Sequence, residues 1–226
     1  MVALANDMVS DSSFEALRER FRSLWVRSLL TDAESTAEPV FEELARRYSE
    51  PRRCYHGWTH LLNCLDRFDL AAALMHDPAA VEMALWFHDA VYEPGAPDNE
   101  QKSAELFVLL ARRQFFPEFV NKVYEFILLT RHQEAPRGWD GRFAVDIDLS
   151  SFASSWDKFV RDSDNIRSEN DHLADGVFYP KQVSFLRSLI ERRSIFHSDY
   201  FYTRYERIAR LNITRLIAKL QSQGYG

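Results

Sequence analysis

The sequence predicts an all-α protein, and three observations carry that prediction. Apolar residues recur at the i, i+3, i+4 spacing of one helical face along nearly the whole chain. Glycine is scarce, with seven residues in 226, and the glycines fall between the periodic stretches rather than inside them. Only Phe143-Ala144-Val145 has strand character, and three residues make no sheet. A hydrophobic share of 46% supplies one large core, so a single helical domain over residues 13–222 is expected, preceded by a flexible tail over residues 1–12.

The elements follow in order. Ser12 or Ser13 caps a first helix reaching Leu30, with Phe14, Leu17, Phe21, Leu24 and Trp25 on its inner face. Pro39 suits the first turn of a second helix carrying Phe41, Leu44 and Tyr48. A third runs from Trp58 to Met75 with Leu61, Leu62, Leu65 and Phe68 inward. Asp77-Pro78 is a cap followed by proline at the first helical position, opening a fourth helix through Val81, Ala84, Leu85 and His88. Glu93-Pro94-Gly95-Ala96-Pro97 is a loop, after which Asp98 or Asn99 caps the next helix. Further helices are expected at 98–115, 117–131, 155–170, 180–194 and 198–222, with 133–144 as a loop because it holds Pro136, Gly138 and Gly141.

Several classes of function are disfavoured at this level. No apolar run approaches the roughly 18–20 residues that span a bilayer, and Met1 to Ser13 lacks the basic and apolar blocks of a secretory signal. Cys54 and Cys64 form no Cys-x-x-Cys pair and read as reduced thiols, so a cytoplasmic location without membrane attachment is expected. A net charge of −6 argues against a nucleic-acid partner, and the pairs Arg52-Arg53, Arg112-Arg113 and Arg192-Arg193 read as solvated helix ends.

The chemistry gathers around His88-Asp89. This ionisable pair lies in the apolar run Ala84 to Tyr92, where desolvation penalises charge unless a metal or partner compensates. Imidazole and carboxylate together suit a divalent ion. One pair cannot fill a coordination sphere, so further ligands are sought on other helices. Upstream, His56 and His60 stand four apart, which places them on one helical face. Downstream, Asp146 and Asp148 lie in an apolar frame. His56 precedes His88 by 32 positions, and Asp148 follows Asp89 by 59, each leaving room for a helical excursion and a return.

With these residues in view, the chain resembles the HD superfamily of metal-dependent phosphohydrolases, whose pattern is a single His, a His-Asp pair and a distant Asp. More narrowly it resembles a bacterial subgroup of predicted HD phosphohydrolases. The blocks that carry the likeness are Tyr55-His56 to His60, Trp86-Phe87-His88-Asp89-Ala90-Val91-Tyr92, Asp98-Asn99-Glu100 with Ser103-Ala104, Thr130-Arg131-His132 and Asp146-Ile147-Asp148-Leu149. Ile166-Arg167-Ser168-Glu169, Phe185-Leu186, Arg192, Ile195-Phe196, Glu206 and Asn212 extend it to roughly residues 15–222. Positions 57–59 are Gly, Trp and Thr, so the His56/His60 pair lacks the glutamate of a zinc-protease helix.

The resemblance implies metal ligation by His56, His88, Asp89 and a last aspartate, with Asp148 favoured and Asp146 as the fallback. The remaining aspartate would cap a helix or support the ligands. Asp89 would bridge metal and water as ligand and base, with Glu93, four residues on, helping to activate water. His60 either supports the ligand shell or meets substrate, or is simply a polar face one turn below His56. His132 either binds a substrate phosphate or a second metal, or is a loop-edge histidine. Asn99 and Glu100 contact substrate or serve as helix cap and first-turn acid, and Arg53, Lys102, Arg131 and Arg167 are candidates to hold phosphate. The ligand chemistry favours Mn, Fe, Co, Ni or Zn over Ca, with Mg admissible. The expected activity is hydrolysis of a phosphoester of a nucleotide or a related small phosphorylated metabolite by metal-activated water. The alternative is a signalling module that holds metal and nucleotide without turnover. Oligomeric state is not legible in the sequence.

Overall fold

The computed structural model describes residues 11–30, 35–111 and 113–225. Of the expected tail, residues 1–10 lie outside the described set, and helix α1 already includes residues 11 and 12. The described residues form a single-domain helical bundle with no strand. Its elements are α1 (Asp11–Arg27), α2 (Ala37–Tyr48), α3 (Trp58–Ala71), α4 (Pro78–Phe87), α5 (Asn99–Ala111), α6 (Pro117–Leu129), α7 (Trp139–Leu149), α8 (Trp156–Glu169), α9 (Asp175–Ile190) and α10 (Asp199–Ser222). Single 3₁₀ turns follow α3 and α7. Among the described residues, no helix is long and apolar enough to cross a membrane.

Helix α4 is the axis of the bundle. Its residues Ala80 to Phe87 are all buried, the mark of a helix apolar on every side that other helices surround. Helices α1, α3, α5, α6 and α7 all pack on it. Asp77 starts it as expected, its carboxylate accepting the Ala80 amide at 3.1 Å with Pro78 in the first turn. The one acidic residue in this helix, Glu82, is buried and takes Arg20 at 2.7 Å and Arg27 at 2.9 Å from α1. Both arginines reach in from a more exposed position, so the charge buried on α4 is paired rather than bare. Beside this pairing, Phe21, Trp25, Phe41, Trp86 and Phe87 form a tilted and edge-on aromatic cluster that joins α1 and α2 to α4.

Three elements differ from the expectation. Helix α4 stops at Phe87, so His88 is its C-cap and Asp89 opens the following turn; the pair sits at a helix end rather than mid-helix. The segment expected as a loop through residue 144 is helical from Trp139, and Phe143-Ala144-Val145 lies inside α7. Tertiary contacts set this. The extended Gly138 leads into the helix, and Trp139 Nε1 donates to the Leu74 carbonyl at 2.8 Å. The Asp140 carboxylate accepts the His76 and Asp77 amides at 2.8 and 2.9 Å. Gly141 lets α7 approach α6, since a Cβ there would lie 2.8 Å from Leu129 Cδ1. Finally, α9 begins at Asp175 and carries Pro180 in its second turn, whereas proline suggested a start at 180.

Candidate metal centre

Helix α3 delivers the first side chains. Gly57 precedes it in an extended conformation, where a Cβ would stand 3.2 Å from the carbonyl oxygens of both Tyr48 and Arg53. That close approach sets His60 in the first turn of α3 and Cys64 one turn further along the same face. Helix α4 ends with His88 and Asp89, and α7 supplies Asp148 near its C-terminus.

Arg53 fixes the first two of these segments to each other. Its guanidinium is almost fully buried and donates to the carbonyls of His56 at 3.0 Å, Asp89 at 2.5 Å and Ala90 at 3.0 Å. It lies between the Tyr48 and Tyr92 rings. With its Nε donating to Glu50 at 3.2 Å and three further bonds made to the backbone, the buried Arg53 acts as a staple between these segments rather than standing free for phosphate as the sequence suggested. Downstream, Ser103 exchanges hydrogen bonds with the Val91 amide and carbonyl, and Asn99 does the same with Glu93. The Asn99-Glu100-x-x-Ser103 block thus clamps the turn that follows Asp89.

The centre itself is compact. His60 and His88 bring their Nε2 atoms to 3.1 Å. Asp89 Oδ2 lies 3.1 Å from His88 Nε2 and 3.5 Å from His60 Nε2. Asp148 Oδ1 lies 3.1 Å from His60 Nε2 and 3.7 Å from His88 Nε2. Cys64 Sγ is 3.7 Å from His60 Nε2. His60, Cys64, His88 and Asp148 each offer one atom within 4.8 Å of the others, a group that can hold a metal ion.

The donor chemistry fits a cation. His88 Nδ1 sits 2.7 Å from the Leu85 carbonyl, which can only accept, so Nδ1 carries a proton and the ring, when neutral, has its lone pair at Nε2. That lone pair meets a second imidazole and two carboxylates, and the buried His60 Nδ1 has no hydrogen-bond partner among the described residues. Burial opposes charge on all of these groups. It is outweighed for His88, which the nearby Asp89 and Asp148 hold up to about 9. It is likewise outweighed for Asp89, held low by His88, His56 and His60, and for Asp148, held well below the carboxylate range by His132 and His60. The proton that His88 holds therefore offsets part of the carboxylate charge in the metal-free chain. One divalent ion would offset both carboxylates with every imidazole neutral. Cys64 is pushed the other way, since burial and then the two aspartates raise its thiol.

The remaining expected residues lie around this centre. His56 is absent from the four-residue group; its Nδ1 bonds Glu169 Oε2 at 2.6 Å and its ring stacks on Tyr92 at 4.1 Å between centroids. The Glu169 side chain has no exposed surface, and its other oxygen accepts the Tyr55 and His56 amides at 2.7 and 2.8 Å. Burial works against a charge on His56, but Glu169 and then Asp89 and Asp148 outweigh it and raise its pKa. Asp146, the fallback ligand, is fully buried and turned to another partner: it accepts the amides of His197 and Ser198 and the Ser198 hydroxyl at 2.6–2.7 Å. Burial pushes it up to about 7 against the pull of those donors.

His132, in the loop three residues after α6, has φ of 57°, a left-handed conformation rare outside glycine, and places Nε2 2.8 Å from Asp148 Oδ2. It holds the carboxylate rather than standing free at a loop edge. Glu93 is exposed and paired with Arg52 at 2.9 Å, so it points to the surface. Glu100 is half-buried, and burial followed by the charges of Asp89 and Asp148 raises its pKa. Lys102 pairs with Asp98 at 2.9 Å. Arg131 donates to Gln101 at 3.2 Å and lies 3.8 Å from Glu100. Arg167 is taken up by Asp175 and the carbonyls of Asn170 and Leu173.

Two residues of the site were not singled out for a role from the sequence. Cys64 carried a signal, the His60-x-x-x-Cys64 spacing that puts both on one helical face. Glu169 belonged to one of the blocks that carry the resemblance, but its role was not legible, because only the fold brings α8 against the loop before α3. Compared with protein-family models, with curated proteins and with solved structures, the chain shows no match.

Proposed function

We propose that the chain is a metal-dependent phosphohydrolase of the HD type, acting on a phosphoester of a nucleotide or a related small phosphorylated metabolite. The observation that carries this reading is the convergence of His60, His88, Asp89 and Asp148, from three helices, on one buried point. Their order, His then His-Asp then Asp, is the HD order with His60 in the first place. These four residues would hold the ion, with the Cys64 thiol beside them. Two imidazoles and two carboxylates suit Mn, Fe, Co, Ni or Zn, and Mg is admissible. When bound, such an ion lowers the pKa of water and polarises a phosphoryl oxygen.

The chain's own groups supply the rest. The Glu169 carboxylate faces His56 Nδ1 and, against burial, raises the ring's pKa, which favours the doubly protonated form. About a fifth of the His56 side chain is exposed, in contrast to the buried His60 and His88. In this reading His56, in the turn before α3 with its ring centroid 6.0 Å from that of His60, is a general acid that passes its Nε2 proton to the leaving oxygen. Asp89 serves as ligand and as acceptor for the proton of the attacking water. His132 positions Asp148, and Arg53 and Glu169 position the segments that carry His56 and Asp89.

The test is turnover across a panel of nucleotides and small phosphomonoesters, with Mn, Co, Ni or Mg added to protein of measured metal content. Hydrolysis of at least one phosphoester that requires Asp89 and falls at least 100-fold in His56→Asn is expected. Full metal occupancy without turnover on any phosphoester would contradict the enzymatic reading and favour a metal- and nucleotide-binding module.

A further inference from the structure

A second feature lies behind His132, outside the metal centre. A cleft of about 430 Å³, lined by Gln133, Glu134, Arg192, Arg193, Ser194 and His197 among others, opens between the loop after α6 and the turn before α10. Its size falls within the range of small-molecule sites. Arg192 is partly buried, and among the described residues its guanidinium makes one hydrogen bond, a short one to the His132 carbonyl, which leaves the other donors of its planar fork without a protein partner there. Burial alone moves its pKa, downward; no carboxylate pulls it back. His197 turns a buried Nε2 without a hydrogen-bond partner among the described residues, while its backbone amide is held by Asp146. Burial, then Arg192, His132 and Arg142, keep its ring neutral. Glu134 is the one carboxylate of the lining and is exposed, set against two guanidiniums.

We propose that this cleft is a binding site for a phosphate-class oxyanion, received by the Arg192 and Arg193 guanidiniums and by the His197 imidazole. A tetrahedral oxyanion offers several acceptors to a fork of N–H donors and relieves the uncompensated charge of a partly buried arginine. The site also touches both supports of α7: Arg192 holds the carbonyl of His132, whose ring holds Asp148, and His197 is hydrogen-bonded through its amide to Asp146. An occupant here sits one residue away from the metal centre without entering it. The inference does not rest on the hydrolase reading.

Histidine-ring NMR on metal-free protein in chelator tests it, because the metal centre then offers no ion to attract phosphate. Inorganic phosphate and adenosine monophosphate are titrated separately at constant ionic strength, with chloride as the control. The His197 ring resonances, assigned with His197→Gln, are expected to move saturably with phosphate and not with chloride. Comparable affinity for the two ligands identifies free phosphate as the ligand class, and tighter binding of the nucleotide identifies a phosphorylated metabolite. Arg193→Gln, at an exposed position, is expected to weaken binding at least tenfold with an unchanged circular dichroism spectrum. Non-saturable shifts, equal shifts with chloride, or unchanged affinity in both Arg193→Gln and Arg192→Lys would overturn the proposal.

Discussion

Replacing Glu169 by Gln isolates the pairing that sets His56. Wild-type Glu169 makes three hydrogen bonds with no exposed side-chain surface: two backbone amides on one oxygen and the His56 ring on the other at 2.6 Å. Glutamine keeps a carbonyl for the amides but meets His56 Nδ1 with an N–H, so the ring must give up its Nδ1 proton and cannot be an imidazolium there. The loss is one charge-assisted hydrogen bond in a dry setting, about 1.5–3 kcal/mol. For a chain of this length that corresponds to a fall in Tm of roughly 3–12 °C.

The pH dependence has a definite sign. Glu169 is held below the ordinary carboxyl value of 4.5, so its contribution is present above about pH 4.5 and is lost as pH falls through the folded pKa. His56 is held above 6.5, so its contribution is full below about pH 6.5 and is lost as pH rises through the folded pKa. The stability difference between wild type and Glu169→Gln, measured by urea denaturation of metal-free protein, is therefore greatest between about pH 4.5 and 6.5 and shrinks on either side. A difference that stays flat from pH 4 to 9, or one below 0.5 kcal/mol throughout, refutes the pairing argument.

Three further outcomes follow from the same geometry. Adding a bound divalent ion at 100 times its Kd stabilises the fold by about 2.7 kcal/mol, which a thermal scan reads as a rise of roughly 5–11 °C; an unchanged Tm with Mn, Co, Ni and Zn contradicts a preformed site. Asp146→Ala strands two buried amides and a hydroxyl, and urea denaturation is expected to show a loss of about 3 kcal/mol or more. Metal content per folded molecule should hold in that variant, and its disappearance would point to Asp146 as a ligand. Cys64→Ala removes a small buried side chain at a cost of about 1 kcal/mol and leaves metal bound, since two imidazoles and two carboxylates remain; loss of the ion would make the thiolate an obligatory ligand.

Much of the fold was legible because local signals and burial agree along the chain. Asp77-Pro78 opens α4, and the continuous apolar run that follows it proves to be the buried axis of the bundle. Where the reading departed from the structure, long-range contacts prevailed over local propensity. Gly138 and Gly141 suggested a loop, yet one is the extended entry to α7 and the other is the close contact with Leu129 that lets α7 pack. At the site, His88, Asp89 and Asp148 were visible as polar residues in apolar frames, a pattern that survives without coordinates. The choice between His56 and His60 did not survive, because both lie on the same side of the chain's turn into α3. It is Glu169, 113 residues from His56, that binds one of them and leaves the other facing His88. Glu93 was read along an idealised helix, and the early end of α4 turns it outward to Arg52.

The central claim is that His60, and not His56, completes the ion site with His88, Asp89 and Asp148. Metal content of purified His60→Ala and His56→Ala, each reloaded with manganese or zinc and freed of excess ion, tests it directly. The geometry predicts that His60→Ala retains less than a tenth of the wild-type ion while His56→Ala binds a full complement. Ion retained by His60→Ala and lost from His56→Ala would contradict it.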